Sequence, residues 1–133
     1  MTFMSQEGSR AAAAVKTLIS VVDDDHSMCR MLSRIIGAAG FEVEVFTSAE
    51  QLLDAGRLGD TGCLILDVDL PGMSGIELQQ RLKESELRIP IIFISGQSDE
   101  QTRERALQAG ASGFFKKPFS INSLLTVIHA VSV

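Results

Sequence analysis

The chain has 133 residues, enough for one compact domain with a real core and too few for two ordinary domains. Its 45% hydrophobic and 22% charged residues match a globular average, and no apolar run approaches a bilayer span, so an integral membrane protein is excluded as a class. A net charge of −5 argues against direct nucleic-acid binding, because phosphate contacts require a local excess of Lys and Arg.

Residues 1–16 (MTFMSQEGSRAAAAVK) lack the basic start, apolar centre and cleavage pattern of a secretory signal and read as a flexible lead-in, leaving 17–133 as the single domain. From there, β-type runs alternate with helical patterns five times. The first strand is Thr17 to Val22, followed by a helix from about Ser27 to Ala39 that Gly40 can end in the left-handed conformation. Phe41 to Phe46 alternates apolar and charged residues, as an outer, half-exposed strand does. Ser48 with Gln51 predicts a capping box for a short second helix stopped by Gly56. The run CLIL from Cys63 is apolar throughout and reads as a central third strand. Pro71-Gly72 sets a turn before a third helix from Ile76 to Glu84, which places Leu78 and Leu82 on one face. Ile89 to Ile94 is the fourth strand, and Ser98 with Gln101 predicts the cap of a fourth helix ending at Gly110. Gly113 to Phe115 makes a short fifth strand, and Ser120 caps the last helix.

Regular strand–helix alternation gives parallel strands with right-handed crossovers, hence an open, doubly wound α/β sheet of five strands with helices on both faces. Ligands in such sheets bind beyond the carboxyl ends of the strands. There the chain places Asp23, Asp24 and Asp25 after the first strand, Asp67 and Asp69 after the third, Ser95 after the fourth, and Lys116 and Lys117 after the fifth. Two carboxylates about 4 Å apart repel by roughly 4 kcal/mol at an effective dielectric near 20, so such a cluster needs a neutralising cation. Oxygen ligands without His or Cys suit a hard divalent ion, Mg²⁺ first and Mn²⁺ as the alternative, and Lys117 supplies further positive charge. A carboxylate held against a metal and a lysine, with a hydroxyl nearby, is equipped to attack phosphorus and become an aspartyl phosphate. Ser95 would then donate a hydrogen bond to a phosphoryl oxygen.

The segments VVDDD, LILDVDLPGMSG, FISGQSD and FFKKPF, in this order and separation, resemble the receiver domain of two-component response regulators, and SGQSD with KKPF resembles the FixJ-type subfamily in particular. The resemblance runs from about Thr17 to the C-terminus. It implies the flavodoxin-like or CheY-like strand order 2-1-3-4-5. It also implies Asp67 as phosphoacceptor, Asp24 as a direct metal ligand, Asp23 acting through water and Asp69 giving its backbone carbonyl. Ser95 becomes the switch hydroxyl, Phe114 the switch aromatic, and Lys117 the phosphate-pairing lysine before a cis bond to Pro118. Implied partners are a histidine kinase or histidine phosphotransfer protein docking on the first helix, and a phosphorylation-dependent homodimer through the fourth helix, fifth strand and fifth helix. The implied setting is cytoplasmic, and the implied role is signalling rather than turnover. Two positions depart from the commonest receiver pattern: Ser95 stands where Thr is frequent, and Asp69 adds a negative side chain beside the phosphoryl site.

Blander readings apply at several positions. Asp25 reads as a helix cap and Lys116 as a surface residue, while Ser95 and Phe114 taken singly are a turn residue and a core aromatic. His26, at a helix start, reads as solvent-facing rather than a ligand; His129 reads as packing or surface. Cys29 and Cys63 are too few for a disulfide framework, lack metal-site spacing and read as buried thiols. The first helix carries more apolar residues than one buried stripe needs, which leaves Met28 and Met31 either as docking surface or as core. The DxD in LDVDL also suits a haloacid-dehalogenase-type phosphatase, but that family puts DxD on its first strand and usually follows it with Thr, where this chain has an upstream acidic pair and Pro71. No Gly-rich dinucleotide fingerprint or P-loop is present.

Overall fold

The computed structural model describes residues 16–97 and 100–132. Five strands, β1 (Leu18–Val22), β2 (Glu42–Phe46), β3 (Thr61–Asp67), β4 (Ile91–Ser95) and β5 (Gly113–Lys116), form one parallel sheet in the order β2-β1-β3-β4-β5. Five α-helices connect and follow them: α1 (His26–Ala38), α2 (Ala49–Ala55), α3 (Gly75–Glu84), α4 (Glu100–Gln108) and α5 (Ile121–Val131). The expected doubly wound α/β fold and its strand order are both present.

Strands β1, β3 and β4 are apolar throughout because both of their faces are covered, yet their side chains still alternate. Leu64, Leu66, Ile91 and Phe93 join Leu52, Leu78, Leu82 and Ala106 beneath α2, α3 and α4. Cys63, Ile65, Ile92 and Ile94 point the other way, with Ile19 and Val21, onto Leu32 and Ile36 of α1 and Leu124 and Ile128 of α5. Edge strand β2 turns Val43 toward this second cluster and its glutamates toward Arg57, whose guanidinium lies 3.1 Å from Glu44 and 3.6 Å from Glu42.

Several boundaries shift from the sequence reading for local reasons. β3 begins at Thr61 rather than Cys63, because Thr61 pairs with Leu18 and its hydroxyl lies 3.1 Å from that of Ser20. β4 begins at Ile91 rather than Ile89; Pro90 has no N–H for the ladder, though its carbonyl still accepts from the Leu64 N–H at 2.9 Å. The capping box predicted at α2 is only half formed. Ser48 accepts from the Gln51 N–H, but the Gln51 carboxamide reaches back to the N–H and hydroxyl of Thr47. A complete box stands instead at α3, where Ser74 and Glu77 bond reciprocally. Gly56 ends α2 in the left-handed conformation, φ 71°, as expected. The predicted Ser98 cap of α4 and the lead-in as far as residue 15 lie outside the described residues.

Candidate functional site

The register of the sheet builds the site. Val22 of β1 sits opposite Leu66 of β3, so the next residues, Asp23 and Asp67, emerge side by side at the carboxyl edge. Ser95 of β4 sits opposite Lys116 of β5, which brings Lys117 to the same rim. Backbone bonds hold each corner: the Asp23 N–H donates to the Phe46 carbonyl at 3.0 Å, the Val68 N–H to Ile94 at 3.0 Å, and the Lys117 N–H to Ser95 at 2.7 Å.

Lys117 Nζ is the centre of the arrangement. It lies 2.8 Å from Asp23 Oδ2 and 3.3 Å from Asp67 Oδ2, and both carboxylates are buried. The second oxygen of each is also engaged: Asp23 Oδ1 accepts from the Asp25 N–H, and Asp67 Oδ1 from the Asp69 N–H, each at 2.9 Å. Burial pushes the Asp67 carboxyl up to about 6, assisted by the charge of Asp23 and opposed by the Asp69 N–H and Lys117. Burial also works against the Lys117 ammonium, but its hydrogen bond to Asp23 and the two carboxylate charges outweigh this and raise its pKa. The peptide bond from Lys117 to Pro118 is cis.

Asp24 projects into solvent, and one oxygen each from Asp23, Asp24 and Asp67 lie within 4.8 Å of one another. These three carboxylates, with no sulfur or nitrogen donor among them, fit a hard divalent cation that keeps part of its water shell. Asp25 caps α1, accepting from the N–H groups of Ser27 and Met28, and does not join the cluster. His26 and Lys116 are exposed. His129 packs against Phe41, with ring centroids 4.9 Å apart and planes tilted by 45°. Met28 and Met31 are half-buried against the α1/α5 cluster, so the reading of both as fully core fails and part of each stays exposed on α1.

Ser95 is fully buried at the end of β4. Its hydroxyl accepts from the Gln97 N–H at 3.2 Å and has the Gln97 carbonyl and, at 3.2 Å, Asp69 Oδ2 as acceptors. Phe114 is half-buried on the neighbouring strand, its ring 6.1 Å from that of Phe93.

Three supports escaped the sequence reading. The Cys29 thiol donates to the Asp23 carbonyl at 3.1 Å; burial first, then the charge of Asp23, raises its pKa and keeps it a thiol. Glu50, at the start of α2, accepts from the Met73 N–H at 3.0 Å and ties down the β3–α3 loop that carries Asp69. Gly75 leaves no room for a side chain, since a Cβ there would collide with the Asp67 carbonyl oxygen and press on Val68 Cα. Spacing alone could have suggested only the last, as a small residue at a loop-to-helix junction.

Comparison with known proteins is consistent across the chain. The family model for the response regulator receiver domain matches residues 19–129. The response regulator protein TodT of Pseudomonas putida is 42% identical over 125 residues, which cover 94% of this chain and 55% of that protein. The transcriptional regulatory protein FixJ of Bradyrhizobium diazoefficiens is 37% identical over 112 residues, covering 84% of this chain and 55% of FixJ. The solved structure of response regulator StyR superposes with a TM-score of 0.81 at 44% identity, covering 88% of this chain and 59% of StyR. The chain thus spans about half the length of the curated relatives it matches.

Proposed function

This chain belongs to the response regulator receiver domain family, and from that premise we propose that it is a Mg²⁺-dependent phosphoacceptor whose acceptor is Asp67. The observation that carries the reading is the single ammonium shared by Asp23 and Asp67, with Asp24 alongside. The family relationship gives the class of signalling; this constellation supports Asp67 as the acceptor.

An ionised Asp67 oxygen attacks phosphorus, forming the O–P bond as the bond from phosphorus to the donor histidine nitrogen breaks, and the imidazole leaves with the electron pair. Lys117, placed between the two carboxylates, pairs with a phosphoryl oxygen and offsets charge as the anionic group arrives. Mg²⁺, or Mn²⁺ in its place, held by Asp24, Asp67 and the Asp69 carbonyl with Asp23 acting through water, would supply further charge stabilisation to the equatorial oxygens. Ser95 donates to a phosphoryl oxygen in the product. Movement of Ser95 leaves space on the β4–β5 side for Phe114 to turn inward, which changes the surface of α4, β5 and α5 that a second copy meets.

The donor is a histidine kinase or histidine phosphotransfer protein, approaching along α1 with Met28 and Met31 at its margin. Residues 17–133 form the receiver unit, and 1–16 a lead-in to it. No helix among the described residues is long and apolar enough to cross a membrane; the cytoplasmic setting rests on the family relationship. Intact mass spectrometry after Mg²⁺ and acetyl phosphate tests the reading. Wild type should gain one phosphoryl unit and Asp67→Asn none; an unmodified wild type, or an equally modified variant, refutes it.

A further inference from the structure

The Ser95 hydroxyl has one proton and two acceptors facing it, the Gln97 carbonyl and Asp69 Oδ2, while its oxygen already accepts from the Gln97 N–H. The two acceptors compete for that proton at the end of β4, and neither is on Asp67. Asp69 is itself fixed at its backbone, where its N–H donates to Asp67 Oδ1 at 2.9 Å. The same residue therefore touches the acceptor carboxylate through its amide and the Ser95 hydroxyl through its side chain.

We propose that the Asp69 carboxylate is a positioning group that latches Ser95 in the resting state, so that a phosphoryl group on Asp67 must win the hydroxyl away from it. The inference rests on Asp67 being the phosphoacceptor. A carboxylate is a stronger acceptor than a neutral carbonyl, so the latch is a direct competitor of the phosphoryl oxygen for one proton. Asp69 is exposed, which lets its side chain swing out to solvent when the hydroxyl leaves. The consequence is a receiver biased toward its resting arrangement by a side chain whose own backbone serves the acceptor site.

Asp69 also carries charge, and removing it would ease the approach of any anion whether or not the latch exists. A double-mutant cycle separates the two effects, because repulsion persists without Ser95 whereas the latch does not. Affinity for beryllofluoride in saturating Mg²⁺, a stand-in for the phosphoryl group, is measured by calorimetry for wild type, Asp69→Ala, Ser95→Ala and the double variant. Asp69→Ala should tighten binding on the order of fivefold more in the Ser95 background than in the Ser95→Ala background. Asp69→Asn, which keeps a weaker, neutral acceptor oxygen, should show a smaller difference between the two backgrounds than Asp69→Ala. An equal factor in both backgrounds overturns the latch while leaving the phosphoacceptor reading intact. Wild type that binds no beryllofluoride at all overturns both.

Discussion

Replacing Asp67 by Asn should make the metal-free protein more stable, although it removes a partner of Lys117. In the folded chain the carboxyl titrates near 6 instead of its ordinary 3.8, first because it is buried and then because Asp23 lies beside it. At about 1.4 kcal/mol for each pH unit, ionising Asp67 costs the fold about 3 kcal/mol. Because the folded pKa is raised, the folded state holds the proton more tightly than the unfolded chain does. Wild type therefore loses stability as pH climbs from about 4 to about 6, and the loss is complete above that range. Asparagine never ionises. Its oxygen still accepts from the Asp69 N–H, and Lys117 keeps Asp23 at 2.8 Å. Allowing for relaxation around the new amide, the gain at pH 8 should be about 1–3 kcal/mol, or roughly 3–15 °C in melting temperature for a domain of this size. Thermal denaturation followed by circular dichroism in EDTA, at pH 4 and pH 8, measures it. The gap should nearly close at pH 4, where the folded wild type is neutral at this position, and narrow in Mg²⁺, which stabilises the better-binding wild type. A variant that melts at or below wild type at pH 8 without metal would show that the charge of Asp67 is satisfied in the fold, and the electrostatic account of the site would fail.

Other consequences follow from the same geometry. Mg²⁺ competes with the proton on Asp67, so its affinity should be flat above pH 7 and about tenfold weaker at pH 5, as calorimetric titration would reveal; a pH-independent affinity contradicts the assignment of Asp67 as a ligand. Gly75→Ala should destabilise the fold by about 2 kcal/mol or more, because the obstructing atoms are backbone of Asp67 and Val68 and cannot rotate away; urea denaturation that finds it neutral would mean the β3–α3 loop is free to shift. Glu50→Ala should speed hydrogen exchange at the Met73 amide while Glu50→Gln, which retains an acceptor, should not; equal exchange in both would remove Glu50 as the tie on that loop.

The sequence by itself determined the alternation of strands and helices, and with it a parallel sheet whose chemistry gathers at one edge. Set between turn residues in a regular strand–helix alternation, a short apolar run such as CLIL reads as a strand buried on both faces, which sends the Asp, Ser and Lys residues after the strands to one edge. Local signals also settled ends that depend on one residue's own backbone, such as Gly56 after α2. Right-handed crossovers in this strand order already put α1 on one face and α2, α3 and α4 on the other; tertiary structure alone placed α5, which no strand follows, beside α1. It decided too that Thr61 belongs to β3, a matter of pairing with Leu18. At the site, spacing could identify Asp67 and Lys117, but the thiol of Cys29, the carboxylate of Glu50 and the contact of Asp69 with Ser95 join segments separated along the chain or across strands. Their distances depend on strand register and loop path. Those are set by how the core packs as a whole, and no local pattern of residues records them.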